Sequence, residues 1–272
     1  MKNTRMIFYL LALSLWCPAL LKAQDRRDFS LISHYGLGVE ETYAGGGSPL
    51  VYSGPAAKVG LDFRAEWKRC RLECVQQLSC GMGSDGKSGN LNVPAGYHGS
   101  IAFLYRAYTS PDGRFRCWAG GGTGDRFNLL YNSGLGNASL AAFNFLDLDF
   151  CSELSYGFSF RKNRTEKPFA ACAGIRLPFF SWMRLPGFPY MTDYIMGKNT
   201  FLLTNRTYVN RCRFLTGLSV ETGLSYTLRN RNRIAAAYFW EYRSSGNADA
   251  CRFDHALHFL QCSFTFNLSN HE

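Results

Sequence analysis

The sequence predicts an all-β protein, a single antiparallel up-and-down transmembrane β-barrel of about ten strands. Three observations lead there. The segment 255–268 alternates from His258 on, with His258, Leu260, Cys262, Phe264, Phe266 and Leu268 on one face and Leu257, Phe259, Gln261, Ser263, Thr265 and Asn267 on the other. Period-2 alternation over that length suits a tilted membrane-crossing strand better than a soluble one. The alternation recurs in ten segments, and short and long connections between them alternate along the chain.

The first residues read as a leader. Lys2 and Arg5 make a positive start, residues 6–21 are apolar and broken by Pro18, and Leu21-Lys22-Ala23 offers a cleavage site before Gln24. Residues 1–23 are therefore expected to be a signal peptide, and residues 24–272 one barrel domain. No later stretch is apolar for long enough to be a membrane helix. An exported chain with no helical span but with 22 Phe, 15 Tyr and 27 Gly crosses a membrane with strands if it crosses at all.

The net charge of +10 loses Lys2, Arg5 and Lys22 with the leader. The remaining excess of Lys and Arg reads as turns and rims beside anionic lipid headgroups, so no nucleic-acid partner is expected. Nine cysteines follow the leader, an odd number at irregular spacing with no Cys-x-x-Cys, so neither a metal site nor a cofactor is expected. Several fall on strand faces as small apolar residues. Cys212 and Cys251 lie in loop regions where a disulfide is open but unsupported by a motif.

The ten segments are 30–40, 58–69, 71–81, 96–108, 114–128, 143–161, 169–183, 213–229, 233–245 and 255–268. The second is the cleanest, with Val59, Leu61, Phe63, Ala65 and Trp67 opposite Lys58, Gly60, Asp62, Arg64, Glu66 and Lys68. The third and seventh are the weakest, spoiled by Gln76 and Pro178. Short turns are expected around Cys70, at Ser110-Pro111-Asp112-Gly113, at Asn163-Arg164-Thr165-Glu166 and at Asn230-Arg231-Asn232. Longer loops are expected at 42–57, 82–95, 129–142, 184–212 and 246–254, rich in Gly and Pro. The loop 184–212 is the longest and carries Phe188, Tyr190, Tyr194, Phe201 and Tyr208, so it is the candidate binding segment.

These features together resemble the outer-membrane β-barrel proteins of Gram-negative bacteria. Their C-terminal insertion signal is matched by Gln261, Phe266 and Leu268, with Ser263 where Gly is usual. The resemblance spans the mature chain but is architectural. It implies insertion by the barrel-assembly machinery, contact with outer-membrane lipids and lipopolysaccharide, periplasmic N- and C-termini and a monomeric state, and it implies no one activity.

The polar faces mix signs: Lys58, Asp62, Arg64, Glu66, Glu73, Arg106, Asp147, Asp149, Glu153, Arg176, Glu221, Glu241 and Arg243. A ten-strand barrel is narrow, so these charges are expected to pair and plug the lumen rather than line a wide pore. His34 and His98 are expected to be hydrogen-bonded lumen residues. Trp67, Trp118, Trp182, Tyr156, Phe158, Tyr238, Trp240 and Tyr242 suit interfacial belts. The expected role is structural or surface-binding, through the long loops.

A catalytic alternative rests on the last hairpin. Ser245 as nucleophile, His255 as base and Glu241 as the carboxylate could support acyl transfer. The position resembles the lipid A 3-O-deacylase family, whose motif is His-x-Ser-Asn. Here Arg243 stands where that His would be, in Arg243-Ser244-Ser245-Gly246-Asn247, and arginine does not serve as a base near neutral pH. Asp254-His255 resembles the Asp-His pair of the ten-stranded omptin proteases, but no second acidic pair stands on the loops. A third reading is a soluble β-barrel with its apolar faces inside around an apolar ligand.

Overall fold

A computed structural model describes residues 27–44, 48–87, 89–133, 140–160, 168–186, 208–246 and 252–269. The expected leader, the expected Asn163–Glu166 turn, Cys251 and most of the expected loop 184–212 lie outside them. Among the described residues there are twelve strand segments: β1 (Arg27–Ala44), β2 (Ser48–Trp67), β3 (Cys70–Gly81), β4 (Gly83–Ser84), β5 (Leu91–Thr109), β6 (Phe115–Asn132), β7 (Leu140–Phe158), β8 (Phe169–Pro186), β9 (Tyr208–Phe214), β10 (Gly217–Thr227), β11 (Arg233–Ser244) and β12 (Phe253–Asn267). The two-residue β4 continues β3 past Met82. Both β9 and β10 pair with β8 and form one strand interrupted at Leu215 and Thr216. The result is a closed antiparallel barrel of ten strands.

Neighbours in sequence are neighbours in the sheet, and β1 closes the ring on β12 from Ser30↔Asn267 to Ala44↔Phe253. Closure leaves no free sheet edge around the belt. The pleat sorts the faces. On β1, Tyr35 and Leu37 are 62% and 73% exposed on the outside, while His34 and Glu40 are buried inside. On β7, Leu146, Leu148, Phe150, Leu154 and Tyr156 face out, and Phe145, Asp147, Asp149 and Cys151 face in. The apolar face is the outer one, as a membrane requires and a soluble ligand-binding barrel does not.

The first and last described residues, Arg27 and Ser269, lie at the rim that carries the short turns. The Ser110 turn closes through Gly113 N–H to Ser110 O (2.8 Å), with Asp112 accepting from the Ser110 hydroxyl and the Arg114 N–H. Gly113 has φ 66°, which glycine adopts without strain.

The opposite rim differs from the expected loops. Residues 42–44 and 48–57 belong to β1 and β2, and residues 129–132 and 140–142 to β6 and β7. Apolar alternation ends where the membrane would end, but the strands continue. The 20 residues of β2 rise ~50 Å at ordinary strand rise and barrel tilt, about twice the ~25 Å apolar band of such barrels.

The two weak segments have physical causes. Gln76 lies on the outer face, and its side-chain oxygen accepts from the Tyr97 hydroxyl at 2.5 Å. Pro178 sits at a register shift between β7 and β8, beside Leu148 and Asp149. Proline cannot donate to the ladder, and a bulge accommodates it. The extra residue, Phe179, offers its carbonyl to the Leu215 N–H (3.3 Å), at the height where β9 breaks into β10.

Candidate functional site

Side chains on the inward pleat fill the lumen in layers. At the chain-end rim, Arg64 pairs with Glu73 (3.0 Å), and Arg71 with Glu153 (2.8 Å) and Glu66 (3.4 Å). The Arg71 guanidinium lies 4.1 Å from the ring centre of Trp118. Trp118 is fully buried with Ala102, Leu104 and Cys151, and is therefore a lumen residue, not a member of an interfacial belt. Its place follows from counting by twos along β6, through Gly120, Gly122 and Gly124 to Arg126.

Next comes a cavity of about 230 Å³ whose wall includes His34, Asp62, Arg64, Glu153, Cys172, Glu221 and Arg233. His34 Nε2 meets Asp62 at 2.7 Å. Arg176 donates to the Ser100 hydroxyl (2.6 Å) and lies 3.5 Å from His98 and 4.0 Å from Asp149. Both histidines thus sit in the lumen with polar neighbours.

The third layer is the most buried. Arg126 meets Glu241 at 2.5 Å, and the Ser219 hydroxyl donates to the other Glu241 oxygen (2.7 Å). Arg243 meets Asp147 at 2.6 Å, and Arg126 approaches the same carboxylate at 3.7 Å. The Ser181 hydroxyl donates to Asp147 (2.5 Å) and lies 2.6 Å from the Thr216 hydroxyl. Arg126, Glu241, Arg243 and Asp147 come from β6, β11 and β7; Arg126 and Arg71 are not among the lumen charges that the alternation picks out. The glycines around Arg126 hide the alternation that would have flagged it.

Above this layer Glu40 and His255 meet at 2.5 Å. Leu130, Phe143, Phe145, Met183, Leu185 and Phe253 then close into one buried apolar cluster, with the rings of Phe143 and Phe253 stacked at 4.2 Å.

The last hairpin places the three candidate catalytic residues in three different contacts. The Ser245 hydroxyl accepts the Phe253 N–H (2.8 Å), fastening the ends of β11 and β12. Its carbonyl accepts from Arg213 (3.0 Å). His255 engages Glu40, and Glu241 engages Arg126 and Ser219. Asp254 and His255 are adjacent in one strand and so face opposite ways. Asp254 accepts from Ser244 (2.6 Å) and Arg252 (2.6 Å), while His255 points into the lumen. Among the described residues no group of three or more His, Cys, Asp or Glu side chains converges as a metal site. Chemically, this lumen holds buried opposite charges against one another.

No protein-family model matches the sequence, and no curated protein matches it in sequence. Solved structures do. The outer-membrane protease OmpT of Escherichia coli aligns over 89% of this chain and 96% of its own, with TM-score 0.50 and 8% identity. The translocator domain of the autotransporter NalP of Neisseria meningitidis covers 97% and 96%, with TM-score 0.45 and 8% identity. Neisserial surface protein A covers 88% and 97%, with TM-score 0.36 and 10% identity. At 8% identity the likeness to OmpT is one of fold. The chain has the fold of the Gram-negative outer-membrane β-barrels.

Proposed function

We propose that this chain is an integral outer-membrane barrel whose lumen is closed and whose work is done at its surface, above the membrane. One observation carries the reading. The buried Arg126, Asp147, Glu241 and Arg243 layer is followed by the Glu40–His255 pair and capped by the apolar cluster around Phe143 and Phe253. Ions crossing the barrel would have to break both. The strands that continue past the apolar belt then form a protein-walled extension outside the bilayer, where a partner can reach it.

The chain-end rim is periplasmic in this reading, and the tall rim is extracellular. The closing strand supports insertion by the barrel-assembly machinery: Gln261 faces the lumen, buried, while Phe266 and Leu268 are exposed on the outer face. The outer face contacts outer-membrane lipids and lipopolysaccharide, and the closed ring gives a monomer.

The test is electrical and topological. The purified barrel in a planar bilayer is expected to give no sustained ohmic current, and steady open steps of porin size would refute the closed lumen. An epitope inserted at residues 45–47 should be reached by antibody on intact cells, and one inserted in the Ser110–Gly113 turn should not. The opposite pattern would invert the orientation.

A further inference from the structure

We infer that two complete barrels pair side by side in the membrane through the outer faces of β3, β5 and β6, with Gln76 of each copy on Asp125 of the other. The ring closes within one chain, so what pairs is two finished monomers, and the closed lumen is untouched. The inference rests on the reading that the outer face of the barrel lies in lipid.

Three polar side chains stand on that face among apolar ones. Gln76, Gly99 and Asp125 occupy one register row across β3, β5 and β6. Leu61 precedes the row and Leu146 follows it, and both are exposed to the outside. Tyr97 fills the space that Gly99 leaves, since a Cβ at Gly99 would stand 2.4 Å from the Tyr97 hydroxyl. That hydroxyl donates to Gln76 Oε1, and the amide nitrogen of Gln76 has no hydrogen bond among the described residues. Asp125 accepts from Asn144 through Oδ1, and Oδ2 has no donor among the described residues. Of the groups that act on the Asp125 charge, Asn144 alone is favourable, and no cation is among them. Hydrocarbon cannot satisfy such a carboxylate, and an ionisable group at this depth marks a functional contact.

A second copy supplies what is missing. In a two-fold contact the same patch serves both partners. An axis along the membrane normal in front of Tyr97 keeps heights equal and lays β3 of one copy against β6 of the other. The open amide of Gln76 then meets the open oxygen of Asp125, once on each side of the axis, as polar side chains do between membrane-embedded partners. The same strands also stay apolar above the membrane. Tyr131 and Leu91, three outward positions above Asp125 and Tyr97, are exposed, as is Met82. On the far side of the barrel β1 and β12 carry Glu41 and Asp254 toward that rim. Pairing covers the apolar extension on the one side that has it.

The experiment uses the full chain in a Gram-negative outer membrane, expressed in one cell with two different tags. The photo-crosslinker p-benzoylphenylalanine replaces either Ile101, outward on β5 below Gly99, or Leu260, outward on β12. Light is expected to give an adduct carrying both tags from position 101 and none from position 260. Gln76→Glu sets two carboxylates against each other at each contact and should cut that adduct several-fold while the barrel stays closed. The contrast between positions 101 and 260 does not need this variant to fold. No doubly tagged adduct, equal adducts from the two positions, an adduct from position 101 only with lipid or with a protein of another mass, or an adduct undiminished in a folded Gln76→Glu barrel would each overturn the pairing. The lumen current and the epitope pattern do not depend on pairing, so the two readings fail separately.

Discussion

At the scale of single residues, the barrel interior depends on Asp147, whose carboxylate is fully buried between two guanidiniums and a hydroxyl. Asp147→Asn keeps the volume and removes the charge, leaving Arg126 and Arg243 to share Glu241. Breaking a buried ion pair from one side costs ~3–5 kcal/mol, so urea unfolding of the lipid-folded protein should shift by about that much. Replacing the pair together, as Asp147→Leu with Arg243→Met, should recover most of the loss, because both desolvation penalties go with it. If the double variant is as weak as the single one, the charges do not act as a pair. The sequence placed Asp147 and Arg243 on polar strand faces, since alternation reports which way a side chain points. It could not say that they meet. That contact joins β7 to β11 across the lumen, and no local spacing encodes it. For the same reason Ser245, His255 and Glu241 read as neighbours in one hairpin, yet Ser245 bonds the Phe253 N–H, His255 meets Glu40 on β1 and Glu241 meets Arg126 on β6.

At the scale of elements, closure of the ring by β1 and β12 is the step that makes a barrel from a sheet. Gly38 sits in that seam. A Cβ there would stand 1.7 Å from the carbonyl oxygen of His258. The obstacle is backbone, so no side-chain rotation relieves it, and the strands would have to part. Gly38→Val is therefore expected to block closure. On cold gel electrophoresis the variant should lose the compact, heat-modifiable band that a closed barrel gives. A compact band of unchanged mobility would show that the seam tolerates separation. The strands themselves were legible wherever one face met lipid: Val59, Leu61 and Phe63 against Lys58, Asp62 and Arg64 define β2 without help from the structure. They were illegible in residues 48–57 and 129–132, where both faces are outside the bilayer and apolar alternation has no physical reason to persist. The glycine and proline run from Gly45 to Pro49 made the strand residues 42–44 and 48–57 read as loop.

At the scale of the whole molecule, the outer face sets where the barrel sits. On β7 the outward side chains from Tyr156 through Leu146 are apolar except Ser152, and then change to Asn144, which donates to Asp125 (2.8 Å) on the neighbouring strand. Arg184 pairs in register with Asn144 from the other side. This row of polar groups is where the belt ends toward the tall rim. The cost of an added charge should then depend on height alone. Phe150 lies near the middle of the belt, 47% exposed on the outer face. Phe150→Arg should destabilise the protein in phospholipid vesicles by ~2–4 kcal/mol, the range for arginine at a bilayer midplane. Asn144→Arg, three outward positions higher on the same strand, should cost only ~0–1 kcal/mol. Urea titration of folding into vesicles of one composition measures both. Repeating the pair in detergent should shrink the gap, because a micelle deforms around a charge where a bilayer resists. Equal small effects at both heights would mean that the belt does not lie in lipid, and the barrel would then have to be read as a soluble one with its apolar face covered by something else.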